Sequence, residues 1–317
     1  MGPGAHPART TLAVQGRGLE ARYPGRVALA GLDIDIAAGD VVGVLGPNGA
    51  GKSTLLRFLA TGRRPSAGTL ELLGQDALQP TGALRRRIGI AGDDAVHADA
   101  LTGRENAVLF ARAAGLSAGD AHRRVAELLP RFHLDADADR AVAEYSLGMR
   151  RKLVLIEALA HAPALLVLDE PTTGLDPQGR EALRELLAER AAQGVAIVLA
   201  SNDVAEAERL CGRVLFLRGG TRVLEGAPAE LIARLGGTTR FELRLRAPHA
   251  PEVRCLGVEI SIATAERLVA HSTDGSSPLP ALCAAVLAAG AVIDAVAVKR
   301  PDLGDVYLKA TGEELAV

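Results

Sequence analysis

The run of residues from 46 to 54 has the composition that a site for a nucleoside triphosphate requires. Its glycines let the backbone curl until successive N–H groups point at phosphate oxygens, and a helix that begins there adds partial positive charge. Lys52 supplies a mobile cation for the β- and γ-phosphates, and the hydroxyl of Ser53 is placed to bind Mg²⁺. The sequence therefore predicts a phosphate-binding loop, whose binding residues are Gly46, Asn48, Gly49, Ala50, Gly51, Lys52, Ser53 and Thr54.

The neighbouring sequence supplies the elements that must position such a loop. An apolar run at 41–45 predicts a buried strand before it, and the pattern of 53–60 predicts a helix after it. A chance match of the motif would not come with this order of strand, loop and helix. We therefore favour the functional interpretation.

Composition limits the class of protein. The chain has 317 residues, 48% of them hydrophobic, which is enough for one large domain and a small one. Its net charge of −2 gives no basic footprint for nucleic acid. Neither the three cysteines nor the seven histidines have the spacing of a disulfide framework or a metal site. We expect a globular protein of a reducing compartment, with no nucleic-acid partner.

Two segments bear on the expected location. Residues 1–9 lack an apolar stretch, so they predict a disordered lead and not a secretion signal. The longest uncharged stretch, from Gly275 to Ile293, contains two prolines and is rich in alanine, unlike a spanning helix. The expected location is therefore cytoplasmic.

Strand and helix patterns alternate along the first three quarters of the chain. Apolar runs at 165–168 and 195–199 are separated by a helical pattern, which predicts an α/β fold with a mainly parallel sheet. A helical insert at about 95–160 interrupts these strands. Within it, Thr102 and Glu105 have the spacing of a capping box.

The pattern of apolar and polar residues changes after residue 237. Residues 241–246 alternate strictly between apolar and charged types, and further strand patterns and an alanine-rich helix follow. We predict a nucleotide-binding domain at 10–237 and a small α+β accessory domain at 238–317.

Three further motifs follow the phosphate loop in a fixed order. Tyr-Ser-Leu-Gly-Met occupies 145–149, Asp169-Glu170 follows an apolar strand, and Gly-Leu-Asp occupies 174–176. Together with the loop they resemble the nucleotide-binding subunits of ATP-binding cassette (ABC) transporters. The resemblance spans about residues 10–235 and implies a P-loop NTPase fold with a helical signature subdomain, which binds ATP and Mg²⁺.

The resemblance implies roles for the two acidic residues. Asp169 closes its strand as the Walker B aspartate does, and it is suited to hold Mg²⁺ through water. Glu170 matches the glutamate that polarises the attacking water as a general base. The alternative is that Asp169 and Glu170 are only the solvated end of a strand, and the phosphate loop earlier in the chain argues against it.

The remaining motifs imply contacts to a second subunit and to the base. Residues 145–149 look like a variant of the family's signature, in which a serine hydroxyl and glycine N–H groups bind the opposite subunit's γ-phosphate. Ser146 and Gly148 carry that role here. Asp176 matches the D-loop, which couples the two composite sites. Tyr23 is placed like the aromatic residue that stacks on adenine, with a buried core tyrosine as the alternative.

Two positions depart from the family's pattern. Asp93 stands where a glutamine normally ligates Mg²⁺ and senses the membrane subunit, and it brings an added negative charge. Asn202 stands where a histidine normally contacts the γ-phosphate, and an amide cannot be protonated. We count both as catalytic residues and expect them to slow hydrolysis without preventing nucleotide binding.

The C-terminal segment indicates a subfamily within the ABC transporter ATPases. Residues 301–312 resemble the end of drug-resistance type exporter ATPases, whose membrane partners are separate polypeptides. The leading hypothesis is an ATPase subunit, peripheral on the inner face of the membrane. Two cassettes, as a homodimer or heterodimer, would close on ATP and pull on a transmembrane permease.

Two other functions compete with this hypothesis. A soluble cassette acting on ribosomes or DNA would carry two cassettes or a long coiled coil, and neither pattern occurs here. A regulatory or degenerate cassette with little hydrolysis is the second alternative, motivated by Asp93 and Asn202. The intact Lys52, Asp169 and Glu170 argue against it.

Overall fold

The structure is a computed structural model of the chain, and it describes residues 11–92, 97–235, 237–247 and 250–312. The expected lead at 1–9 and Asp93 lie outside these residues. The chain divides into two compact units between Gly226 and Ala227. Across the described part of the chain, every helix falls short of the length and apolar character that crossing a membrane demands.

The first unit combines strands and helices in alternation. Its strands are β1 (Leu12–Tyr23), β2 (Arg26–Ala37), β3 (Val41–Leu45), β4 (Ala67–Leu72), β5 (Gln75–Asp76), β6 (Ile88–Ala91), β7 (Leu165–Asp169), β8 (Ala196–Ala200), β9 (Arg213–Arg218) and β10 (Thr221–Gly226). Its helices are α1 (Lys52–Leu59), α2 (Gly82–Arg85), α3 (Gly103–Ala113), α4 (Ala118–Arg131), α5 (Leu147–Ala160), α6 (Pro177–Ala192) and α7 (Val204–Leu210).

The larger sheet of this unit has the strand order β10-β9-β3-β8-β7-β6. Strands β9, β3, β8, β7 and β6 run parallel, and β10 pairs antiparallel at one edge. Parallel strands end at the same edge of a sheet, so the loops that follow β3, β7 and β8 meet there. The predicted α/β fold with a mainly parallel sheet is confirmed.

A second, antiparallel sheet has the order β2-β1-β4-β5. Its inward side chains, among them Val14, Ile36 and Leu72, share one apolar core with Val44 of β3 and Leu55 of α1. This core holds β3 and α1, the two elements that flank the loop, and so supports the loop between them.

The helical part of the first unit is fixed by capped helix starts. The hydroxyl of Thr102 accepts from the N–H of Glu105 at 3.1 Å, and the Glu105 carboxylate accepts from the N–H of Thr102 at 2.8 Å. The predicted capping box at the start of α3 is therefore confirmed. The Ser146 hydroxyl caps α5 in the same way by accepting from the N–H of Met149 at 3.2 Å.

The second unit is a small α+β body. It contains α8 (Pro228–Leu235), β11 (Thr239–Arg246), β12 (Glu259–Ala263), β13 (Arg267–Ser272), α9 (Leu279–Ala288), β14 (Val292–Lys299) and α10 (Leu303–Thr311). Its antiparallel sheet has the order β12-β13-β11-β14.

The core of the second unit follows the alternating pattern of β11. Phe241, Leu243 and Leu245 point inward and pack with Leu282 and Val286 of α9. Helix α8, which the sequence analysis places in the nucleotide domain, lies in this unit, where it contacts α10.

Candidate active site

The loop between β3 and α1 is shaped by glycines that no other residue can replace. Gly46 and Gly51 have φ angles of 150° and 111°, in the region that favours glycine. A Cβ on Gly46 would overlap the carbonyl oxygen of Leu217, and one on Gly51 would overlap that of Ala28. The backbone therefore curls closely against its neighbours, as a phosphate-binding loop requires.

Lys52 is the first residue of α1, and its side chain reaches back into this loop. Its Nζ donates to the carbonyl oxygens of Gly46 at 2.6 Å and Pro47 at 3.3 Å. It also donates to Oδ1 of Asn202 at 2.9 Å. The ammonium group thus lies inside the curl of the loop, where the phosphates of a nucleotide would meet it.

A cleft of about 540 Å³ opens over the loop and collects most of the predicted side chains. Its lining consists of Tyr23, Pro24, Arg26, Ala28, Asn48, Gly49, Gly51, Lys52, Ser53, Thr54, Arg57, Asp169, Glu170 and Asn202. Two further predicted loop residues, Gly46 and Ala50, are buried. The common edge of the parallel strands explains how residues so far apart in the chain come together.

The charges of this cleft suit a polyanion and a hard cation. Burial lowers the pKa of Lys52, while the nearby carboxylates of Glu170 and Asp169 act in the opposite direction. Ser53 is exposed to the cleft and Asp169 is half-buried. Hydroxyl and carboxylate oxygens are the ligands that Mg²⁺ prefers. The residues present therefore fit a nucleoside triphosphate with Mg²⁺.

Glu170 lies in a strained turn directly after β7. Its φ angle is 47°, in the left-handed region that costs a non-glycine residue roughly 1–3 kcal/mol. Its N–H donates to the carbonyl oxygen of Ala200 at 2.9 Å, and its carbonyl oxygen accepts from the N–H of Thr173 at 3.2 Å. The turn is thus fixed from β8 and from its own continuation, and it holds Glu170 at the cleft.

Tyr23 lies at the rim of the cleft, at the end of β1. The guanidinium of Arg63 covers one face of its ring, 3.8 Å from the centroid. A hydrogen bond with Thr54 lowers the pKa of the Tyr23 hydroxyl. An adenine that stacks on Tyr23 would use the other face of the ring.

The residues of the signature lie elsewhere in the first unit. Among the described residues, the lining of the cleft does not include Ser146 or Gly148. Ser146 is exposed at the start of α5, and Gly148 lies against the backbone of Gly174. The signature therefore adjoins the D-loop and not the phosphate loop of its own chain.

Asp176 of the D-loop is bound to α5, the helix that begins with the signature. Its Oδ1 caps α6 by accepting from the N–H of Gly179 at 2.7 Å, and its Oδ2 pairs with Nζ of Lys152 at 2.9 Å. The hydrogen bond from Lys152 lowers the pKa of Asp176. Signature and D-loop thus form one connected surface.

No role of their own was assigned from the sequence to three arginines at the site. Arg26 lines the cleft and donates to the carbonyl oxygen of Gly49, and Arg57 of α1 lines the cleft beside it. Buried Arg151 of α5 donates to the carbonyl oxygens of the turn that carries Glu170. None of the three belongs to a binding motif, and an arginine-rich sequence gives no local signal that singles them out.

Fold and cleft together define a P-loop ATPase domain. Comparison with known proteins identifies the family to which this domain belongs. The family model for ABC transporters matches residues 29–173. A daunorubicin resistance ATP-binding protein of Streptomyces coeruleorubidus is 40% identical over 309 residues, which cover 95% of this chain and 96% of that protein. Nod factor export ATP-binding protein I of Burkholderia orbicola is 39% identical over 77% of this chain and 79% of that protein.

Solved structures agree with this relationship. The structure of an ATP-binding subunit of an ABC transporter matches with a TM-score of 0.66 at 29% identity, over 71% of this chain and 93% of that one. A dimeric bacterial ABC transporter cassette matches with a TM-score of 0.63 at 24% identity, over 68% and 98%, and supports the fold.

The chain belongs to the ABC transporter family, among the drug-resistance type exporter ATPases. It is an ATP-binding and ATP-hydrolysing subunit of an ABC exporter. The comparisons give no support to the alternative of a degenerate cassette with little hydrolysis.

Proposed function

We propose that this chain pairs with a second cassette, closes on two Mg-ATP molecules, and drives a transmembrane permease made of separate polypeptides. The observation that carries the proposal is the convergence of Lys52, Asp169 and Glu170 on one cleft. Such a subunit lies against the inner face of the membrane, where the permease presents its cytoplasmic surface. The accessory domain beyond residue 237 would contact a partner.

Each residue of the cleft has a defined task in this proposal. The loop N–H groups and Lys52 bind the β- and γ-phosphates, and Tyr23 stacks on adenine. Ser53 and Asp169 hold Mg²⁺, which supplies charge neutralisation at the phosphates. Glu170 accepts a proton from the attacking water.

Asn202 is proposed to meet the γ-phosphate. Its amide already contacts Lys52, the cation intended for the same phosphate. When ATP draws the ammonium away, the Asn202 amide is left beside the γ-phosphate and can donate a hydrogen bond to it. Asp93 keeps its predicted role near the metal, although it lies outside the described residues.

A second cassette is required because the site is divided on one chain. Ser146 and Gly148 lie apart from the cleft and adjoin Asp176 on a connected surface. When two cassettes face each other, this surface of one chain completes the cleft of the other. The partner is a second copy of this chain or a related cassette.

In this proposal the transported molecule is recognised by the permease and not by this chain. Relatives of nearly equal identity, 40% and 39%, are named for daunorubicin resistance and for Nod factor export. Relatives about equally similar to this chain are thus named for different compounds, so we expect the cargo to be recognised within the membrane protein.

The test of this function is nucleotide binding by Lys52→Ala beside Lys309→Ala. Loss of the charge-assisted hydrogen bonds from Lys52 is expected to weaken Mg-ATP binding by about ten- to a hundredfold. Lys309 is an exposed lysine on α10 and controls for the loss of one positive charge. Equal Mg-ATP affinity in the two variants, measured by calorimetry, would remove the phosphate-binding assignment. Co-purification of the chain with a membrane protein tests the proposed permease.

A further inference from the structure

A buried arginine connects α5 to the turn that carries Glu170. Arg151 is 8% exposed, and one nitrogen of its guanidinium donates to the carbonyl oxygen of Asp169 at 2.6 Å and to that of Glu170. A hydrogen bond from a charged donor is shorter and stronger than one from a neutral N–H group. These bonds therefore fix two successive peptide groups of the turn.

The turn needs such a support because its conformation is strained. Glu170 has a φ angle of 47°, which a non-glycine residue keeps only when its surroundings determine it firmly. The backbone bonds to Ala200 and Thr173 hold the turn from two sides. Arg151 holds it from a third side, from helix α5, which packs against β6, the parallel neighbour of β7.

The helix is itself a firm support. Lys152, the next residue of α5, is buried and pairs with Asp176 at 2.9 Å. A catalytic group is aligned best when its supporting residues are themselves fixed by packing and hydrogen bonds. Arg151 meets this condition, because α5 is buried from Arg151 to Ala160.

We propose that Arg151 is a positioning residue for the catalytic base: it holds Glu170 in the left-handed conformation that directs its carboxylate into the cleft. The inference rests on the proposed function, in which Glu170 accepts a proton from water. Arg151 is not among the described residues that line the cleft, so we expect it to affect the rate of hydrolysis through the turn that carries Glu170.

The experiment compares Arg151→Met with Arg150→Met in the full-length chain. Methionine keeps much of the side-chain length and removes every donor, and Arg150 is the neighbouring arginine, whose side chain pairs with Asp99 away from the turn. We expect Arg151→Met to lower kcat at least about tenfold while KM and Mg-ATP affinity change less than about twofold. Arg150→Met is expected to keep the parental kcat. Arg151→Lys retains a charged donor and should recover part of the rate.

A double variant separates positioning from general damage to the structure. If Arg151 acts through Glu170, adding Arg151→Met to Glu170→Gln lowers the residual rate no further. A further full loss, or a parental kcat in Arg151→Met beside an inactive Glu170→Gln, overturns this inference alone. A parental rate in Glu170→Gln overturns the proposed function and this inference with it. If Arg151→Met fails to fold, the same comparisons with Arg151→Lys decide the matter.

Discussion

In the proposed function, the side chain at position 202 meets the γ-phosphate. Asn202 is half-buried in the cleft, and its Oδ1 accepts from Nζ of Lys52 at 2.9 Å. An amide donates a hydrogen bond but carries no charge and cannot be protonated. We therefore expect charge that develops on the γ-phosphate during hydrolysis to be stabilised less than by the histidine that the family usually has there.

Replacing Asn202 with histidine is expected to raise kcat. A hydrogen bond to a charged group contributes about 1.5–3 kcal/mol, which corresponds to about ten- to a hundredfold in rate. Mg-ATP affinity should change little, because the added contact forms mainly as hydrolysis proceeds. The measurement is steady-state turnover with the membrane partner present, since both cassettes must close. An unchanged kcat would show that residue 202 does not meet the γ-phosphate.

The helix starts show which elements are determined locally. The capping box of α3 involves residues three apart, and the cap of α5 likewise joins Ser146 to Met149. Signals of this range are readable in the sequence, as are the apolar strand β7 and the strict alternation of β11. The phosphate loop and its flanking elements were predictable for the same reason.

Removing the cap of α3 is a quantitative test at this scale. We expect Thr102→Ala to lower the free energy of unfolding by about 1 kcal/mol, since one N–H group at the helix start loses its acceptor. Glu105→Gln keeps an acceptor at the third position and should cost only a few tenths of a kcal/mol. Denaturant unfolding of both variants measures the difference. A free energy of unfolding in Thr102→Ala equal to that of the parent would mean that the hydroxyl of Thr102 contributes nothing.

Other features of the site depend on elements that are far apart in the chain. The bonds from Arg151 to the turn after β7 exist because α5 packs against β6, the neighbour of β7 in the sheet. The contact of Arg26 with Gly49 likewise depends on how β2 lies against the loop. The left-handed conformation of Glu170 follows from such contacts. None of these has a local pattern, so sequence reasoning could identify Glu170 but not what holds it.

At the scale of the whole molecule, the residues of the cleft belong to one compact unit. All of them precede Gly226, where this unit ends, and the second unit begins at Ala227 with α8 soon after. The sequence placed the boundary at 237, because the visible change in pattern comes only with β11. The contact of α8 with α10 has no counterpart in local sequence.

Two truncations distinguish these boundaries. A chain that ends at Gly226 is expected to fold and to bind Mg-ATP with the affinity of the full chain. A chain that ends at Gly237 keeps α8 without α10, which exposes buried Leu231 and should promote aggregation. Calorimetry and light scattering measure the two properties. A chain ending at Gly226 that folds but cannot bind Mg-ATP would contradict the division.

We propose that this chain hydrolyses ATP at the cleft formed by Lys52, Asp169 and Glu170. The most direct measurement is ATP turnover by Glu170→Gln beside the parent and Glu181→Gln, an exposed carboxylate of α6 that pairs with Arg184. Glutamine keeps the shape of the side chain and removes the base. We predict parental Mg-ATP affinity and a loss of turnover of about a hundredfold or more for Glu170→Gln, with parental turnover for Glu181→Gln. Turnover at the parental rate in Glu170→Gln would contradict the account.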